Sequence, residues 1–160
     1  MADTDPVHGV GGLIHPDRLT RSILESENFQ YLILADAPDS VEKTILLRLL
    51  EKVKAHPCLL ISRAGREQSS FSVLSRITRN DQLISGQHLR WSGPGESKTW
   101  QCRTTSAMYS LQHDDKETAA WATLNGHPVI VGRKWGRGRI AVLSFHPSEA
   151  RDREGCFSAL

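Results

Sequence analysis

Two short apolar runs bracket an amphipathic stretch between Phe29 and Ser62, and that spacing constrains the fold more than any other feature of the chain. Phe29-Gln-Tyr-Leu-Ile-Leu-Ala35 is nearly continuous in apolar residues and stops at Asp36-Ala-Pro38-Asp39, which suits a strand covered on both faces. Asp39 or Ser40 then caps a helix in which Val41, Ile45, Leu46, Leu49, Leu50 and Val53 make one stripe, with Glu42, Lys43, Arg48, Glu51, Lys52 and Lys54 mostly opposite. His56-Pro57 ends the helix, and Cys58-Leu-Leu-Ile-Ser62 follows as a second apolar strand before Arg63-Ala-Gly65. A strand, a crossover helix and a second strand at this distance form a right-handed parallel unit. The pattern predicts an open α/β sheet.

The flanks are less regular. Residues 1–12 hold Pro6, Gly9, Gly11 and Gly12 and little apolar side chain, and are expected to be a flexible lead-in. Leu19, Ile23 and Leu24 predict a short helix over 17–27, with Pro16 and Asp17 at its start. Between 66 and 120 Ser, Thr, Gln and Arg dominate; Phe71, Val73, Leu74 and Ile77 suggest a short helix, and Ser92-Gly-Pro-Gly-Glu-Ser97 and Gln112 to Lys116 read as turns. Pro128-Val-Ile-Val131 and Ile140-Ala-Val-Leu-Ser-Phe145 are β-rich runs joined by Gly132-Arg-Lys-Trp-Gly-Arg-Gly138, an antiparallel hairpin in which Gly136 and Gly138 can supply positive φ. A terminal helix is expected to open after His146. With no internal repeat, residues 13–160 read as one domain.

Composition removes several function classes. Twenty Lys and Arg against eighteen Asp and Glu leave a net charge of +2, so no global field marks a polyanion binder, and no nucleic-acid partner is expected. No apolar run spans a bilayer and the first residues lack the order of a secretory signal, which predicts a cytoplasmic protein with no membrane partner. Cys58, Cys102 and Cys156 are widely separated and encode neither a disulfide framework nor a zinc site. Gly9-Val-Gly-Gly12 lacks the Lys-Ser/Thr pair of a phosphate loop, and His113-Asp114-Asp115 reads as a polar turn rather than a metal site. Neither a metal nor a cofactor is required.

The strand-helix-strand half, followed by the Pro-Val-Ile-Val and Trp-Gly-Arg-Gly-Arg-Ile-Ala-Val-Leu-Ser hairpin, resembles the class I glutamine-amidotransferase-like superfamily, its ThuA-like branch above all. Residues 127–149 carry most of the match. The resemblance implies a three-layer, flavodoxin-like, mostly parallel sheet with an antiparallel hairpin near the C-terminus. Active members pair a cysteine on a glycine-flanked elbow with a His-x-Glu element; here Phe145-His146-Pro147 resembles the second element, but Ser148 stands where the acid belongs and Glu149 is one residue later. Ser62 occupies the elbow region without its flanking glycine. A family sheet lacking its first strand would also expose strand edges that a homo-oligomer or another partner could cover.

Two functional readings follow. The first is a catalytically silent domain that binds a small polar ligand, a carbohydrate being one such class, or a protein partner. The second is a hydrolase or amidotransferase with His146 as base, Ser62 as nucleophile and Glu149 as orienting acid. The bland alternatives are a helix-capping histidine and a strand-end serine bonded to loop backbone. Arg133, Lys134, Arg137 and Arg139 around Trp135 offer cationic groups and a stacking ring for phosphate or single-stranded nucleic acid, or else form a solvated hairpin tip; Arg133, Trp135, Arg137 and Arg139 are the expected ligand residues. Trp91, Trp100 and Trp121 could stack on a sugar or fill the core.

Overall fold

The computed structural model describes residues 31–34, 42–65 and 68–145. The lead-in over 1–12, the helix over 17–27 and the terminal helix after His146 lie outside the described residues. In chain order the elements are β1 (Tyr31–Leu34), α1 (Lys43–Ala55), β2 (Leu59–Arg63), α2 (Ser70–Ser75), β3 (Ile77–Trp91), β4 (Lys98–His113), β5 (Thr118–Leu124), β6 (His127–Trp135) and β7 (Gly138–Leu143). The strands form one sheet in the order β1-β2-β7-β6-β5-β3-β4.

The apolar stripe of α1 places Leu46, Leu49, Leu50 and Val53 on Leu60, Val131, Ile140 and Val142. Phe71 of α2 is fully buried in the same cluster, and Ser69 caps that short helix by accepting the Ser72 N–H at 3.1 Å. Both described helices therefore cover one face of the sheet.

This arrangement corrects the flavodoxin-like expectation. Only β1 with β2 and β2 with β7 run parallel; the other four pairings are antiparallel. The parallel unit read from residues 29–62 is present, but most of the sheet comes from the segment that looked least regular. β3 and β4 make a long ribbon whose backbone groups satisfy one another, and only a few of its side chains enter a core. Ile84, Leu89 and Met108 join Leu124, Val129, Ile130 and Phe145 in a second cluster. Ile77 and Leu111 enter the first cluster, and because most of the ribbon's other described side chains are partly or fully exposed, its polar residues cost little and leave no alternating apolar signal.

Two tight turns set the register. Asn125 and Gly126, at φ 48° and 82°, join β5 to β6 with the two positive φ values of a type I′ turn. Asn125 also donates through Nδ2 to the Ser85 carbonyl at 3.1 Å, tying the turn to β3. At the β6–β7 turn Gly136 has φ 61°, and the tip docks on the C-terminal end of α1, where the Arg137 N–H donates to the Lys54 carbonyl at 2.9 Å. A Cβ at Gly136 would stand 2.4 Å from that carbonyl, and one at Gly138 would stand 2.3 Å from the Val53 carbonyl. Gly138 is thus required for close approach, not for positive φ. No helix among the described residues is long and apolar enough to cross a membrane.

Candidate functional site

Strand alternation divides the β6–β7 hairpin between two faces. Arg133 lies opposite Ile140 and Trp135 opposite Gly138, while Lys134 lies opposite Arg139. Since successive side chains point to opposite sides, Arg133 and Trp135 join Ile140 on the helical face, and Lys134 and Arg139 share the other. The four ligand residues expected from the sequence therefore do not form one site.

On the helical face Arg133 is 9 % exposed. Its Nη1 donates to the Ser75 carbonyl at 2.8 Å and its Nη2 to Asp115 Oδ2 at 2.7 Å, with the guanidinium carbon 4.7 Å from the centre of the Trp135 ring. Trp135 in turn donates through Nε1 to the Leu50 carbonyl at 2.9 Å. Arg133 and Trp135 thus bind the sheet to α1 and α2. Asp115, within the His113-Asp114-Asp115 turn, is the anionic partner, and Arg76 approaches it to 3.6 Å.

The Glu117 N–H donates to Asp115 Oδ1 at 3.0 Å and, with the Arg133 and Arg76 cations, holds the carboxyl below the usual carboxylate range against the opposing effect of desolvation. A carboxyl depressed in the folded state stabilises the fold above its unfolded value of about 3.9 and loses that contribution as pH falls through the folded value. Asp115→Asn is therefore expected to melt below the wild type at neutral pH, with the gap closing as pH drops below about 4. Melting curves across the acid range check this; a constant gap would refute the role.

The opposite face carries a cleft of about 670 Å³. Trp121 forms its floor. It sits at the irregularity in β5 where Ala120 pairs with Val131 and Ala122 with Ile130, so the extra residue is free to aim its ring across the neighbouring strand. The ring lies over Gly132, where a Cβ would meet Trp121 Cε2 at 1.7 Å. Trp91 meets Trp121 edge to face, with centroids 6.2 Å apart and planes inclined by 63°. One wall is the loop after β3: the Ser92 N–H donates to the Trp121 carbonyl at 2.8 Å and the Ser92 hydroxyl to the Ala120 carbonyl at 3.1 Å. Around the rim stand Glu117, Lys134, Arg137 and Arg139, all exposed.

Of the expected catalytic residues, only Ser62 lies among the described residues. Ser62 is fully buried on β2 and its hydroxyl donates to the Arg63 carbonyl at 3.0 Å, so no substrate carbon can reach it. His146 and Glu149 lie outside the described residues. Cys58, just before β2, carries a free thiol that is 6 % exposed; burial pushes it up and Lys52 opposes weakly, which leaves little thiolate. The side chains of Trp100 and Cys102, and all of Cys156, lie outside the described residues. Sequence reading named Lys134, Arg137 and Arg139 on the hairpin and Trp121 apart from them, but missed Glu117 and the dependence on Gly132. Counting back from a two-residue turn at Gly136-Arg137 would have placed Lys134 beside Arg139.

No protein-family model matches the chain, and no curated protein matches it. Among solved structures it is similar to a β-galactosidase from Rahnella sp. (12 % identity, TM-score 0.52, covering 76 % of this chain and 21 % of that one). A β-galactosidase from Bacillus circulans sp. alkalophilus is similar at 14 % identity and TM-score 0.52, covering 78 % of this chain and 21 % of that one. What is shared is the fold. A cytoplasmic protein from Salmonella typhimurium LT2 matches at 12 % identity and TM-score 0.47, over 72 % of this chain and 60 % of that one. This chain thus spans about a fifth of each β-galactosidase. These comparisons lend no support to the glutamine-amidotransferase-like, ThuA-like resemblance of residues 127–149, and the sheet order overturns the flavodoxin-like frame it implied.

Proposed function

We propose that this chain is a binding module whose ligand is a small polar molecule of the carbohydrate class, held in the Trp121 cleft. The observation that carries the reading is the cleft itself: an indole fixed by Gly132 and Trp91 at the base of a 670 Å³ hollow, with charged groups on its rim. A pyranose offers C–H faces to an aromatic ring and hydroxyls to surrounding donors and acceptors, and the volume falls within the range of about 300 to 1,000 Å³ usual for small-molecule sites. Burial of the Ser62 hydroxyl supports a role without nucleophilic catalysis at that residue.

Titration with monosaccharides, followed by tryptophan fluorescence and by the melting temperature, tests the reading. Galactosides, the substrates named by the β-galactosidases that share the fold, head the panel. Binding is expected to weaken roughly tenfold in Trp121→Ala, on the scale of a lost aromatic contact. Equal binding by wild type and variant would remove the cleft from consideration.

A second reading, a protein partner, is favoured by one observation: Leu83 and Tyr109 form an exposed cross-strand pair on the β3–β4 ribbon, with Leu83 58 % exposed. A concentration-dependent mass in solution that Leu83→Lys abolishes would favour self-association there.

A further inference from the structure

We infer that the cleft selects ligands bearing an anionic group, phosphate or carboxylate, which Lys134 and Arg139 hold beside the Trp121 ring, while the Arg137 guanidinium on the rim donates to the Ala55 carbonyl at 3.5 Å; this rests on reading the cleft as a carbohydrate site. Three cations line the cleft against the single carboxylate of Glu117. Lys134 and Arg139 stand directly opposite one another on adjacent strands, and both are exposed. Like charges in such a cross-strand pair repel, and among the described residues neither forms an ion pair that would relieve the repulsion. An anion placed between them would do so, making charge-assisted hydrogen bonds to both.

The backbone that carries these cations is held in place. The turn between them docks on the end of α1 through the Arg137 N–H, and Gly136 and Gly138 let it approach within the reach a Cβ would block. Binding an anion therefore orders only side chains, which keeps its entropic cost low. The chain as a whole carries a net charge of only +2, so the cation excess in this cleft suits a small anion rather than a polyanionic strand.

The test is isothermal titration of the full chain at low salt with galactose, galactose 6-phosphate, galacturonate, inorganic phosphate and a short single-stranded oligonucleotide. At least one charged sugar is expected to bind about tenfold or more tighter than galactose, and the stronger of the two identifies phosphate or carboxylate as the preferred group. In Lys134→Gln/Arg139→Gln, whose exposed positions should leave the circular dichroism and melting temperature near wild type, the ratio of charged-sugar to galactose affinity is expected to fall to about one. In the wild type the preference should also shrink at about 0.5 M salt.

Equal binding of neutral and charged sugars, or a preference indifferent to both salt and the double variant, overturns the inference and leaves the carbohydrate reading standing. If no sugar binds but inorganic phosphate raises the melting temperature of the wild type and not of the variant, the carbohydrate reading fails and the anion site stands. Tighter binding of the oligonucleotide than of either charged sugar overturns the inference in favour of nucleic acid. Binding of none of the five probes overturns both.

Discussion

Gly132→Ala is expected to destabilise the protein by about 2 to 3 kcal/mol, although alanine is otherwise the better strand residue by roughly 0.5 to 1 kcal/mol. The new Cβ would fall 1.7 Å from Trp121 Cε2, and no strand adjustment of ordinary size absorbs that overlap. The half-buried ring must swing away from β6, losing its contact with the sheet and its edge-to-face packing on Trp91. For a chain of this size the melting temperature should fall by about 5 to 10 °C, and the tryptophan emission should shift to the red. Binding in the cleft should fail in the same variant, because the floor is gone. An alanine variant as stable as wild type, with unchanged emission, would show that Trp121 does not rest on Gly132.

Arg133→Met is the second large effect, expected at about 2 to 4 kcal/mol. Methionine keeps the apolar stem against Trp135 but leaves the Ser75 carbonyl, on a buried residue, without its donor at 2.8 Å. It also strips Asp115 of its nearer cation, leaving Arg76 at 3.6 Å. Arg133 is imperfectly matched even in the wild type, since its Nε is buried without a partner, and this places the expected loss below that of a fully satisfied buried cation. Adding Asp115→Asn to Arg133→Met should recover part of the loss, because an amide at position 115 no longer needs the guanidinium. Denaturant unfolding of the two single variants and the double variant measures the coupling directly. Strictly additive losses would mean that the pair does not act as a unit.

The two predictions concern residues on opposite sides of one strand, and this is where the sequence reading of the site went astray. Arg133, Trp135, Arg137 and Arg139 look like one basic and aromatic cluster along the chain. Period-two alternation sends Arg133 and Trp135 into the helical core and leaves Lys134 and Arg139 to face the cleft. The alternation was available in the sequence, but it needs the turn, and the linker from Gly132 to Gly138 was read as longer than the two residues Gly136 and Arg137 that the chain uses. The Asn125-Gly126 pair is a comparable case, a short-range hairpin signal that went unused.

By itself the sequence determined β1, α1 and β2 and their parallel pairing, because a strongly amphipathic helix between two apolar strands encodes its own partners locally. It also determined that β6 and β7 turn back on each other, through glycine at a position that needs positive φ. Only the tertiary structure decided the rest. The β3–β4 ribbon is held by backbone bonds between segments of polar side chains, and backbone bonding leaves no trace in side-chain composition. The Trp121 floor exists because an irregularity in β5 aims a ring at a glycine eleven positions further along the chain, on the neighbouring strand. Contacts of that kind depend on which strands become neighbours, and strand order is set by packing across the whole sheet rather than by any one segment.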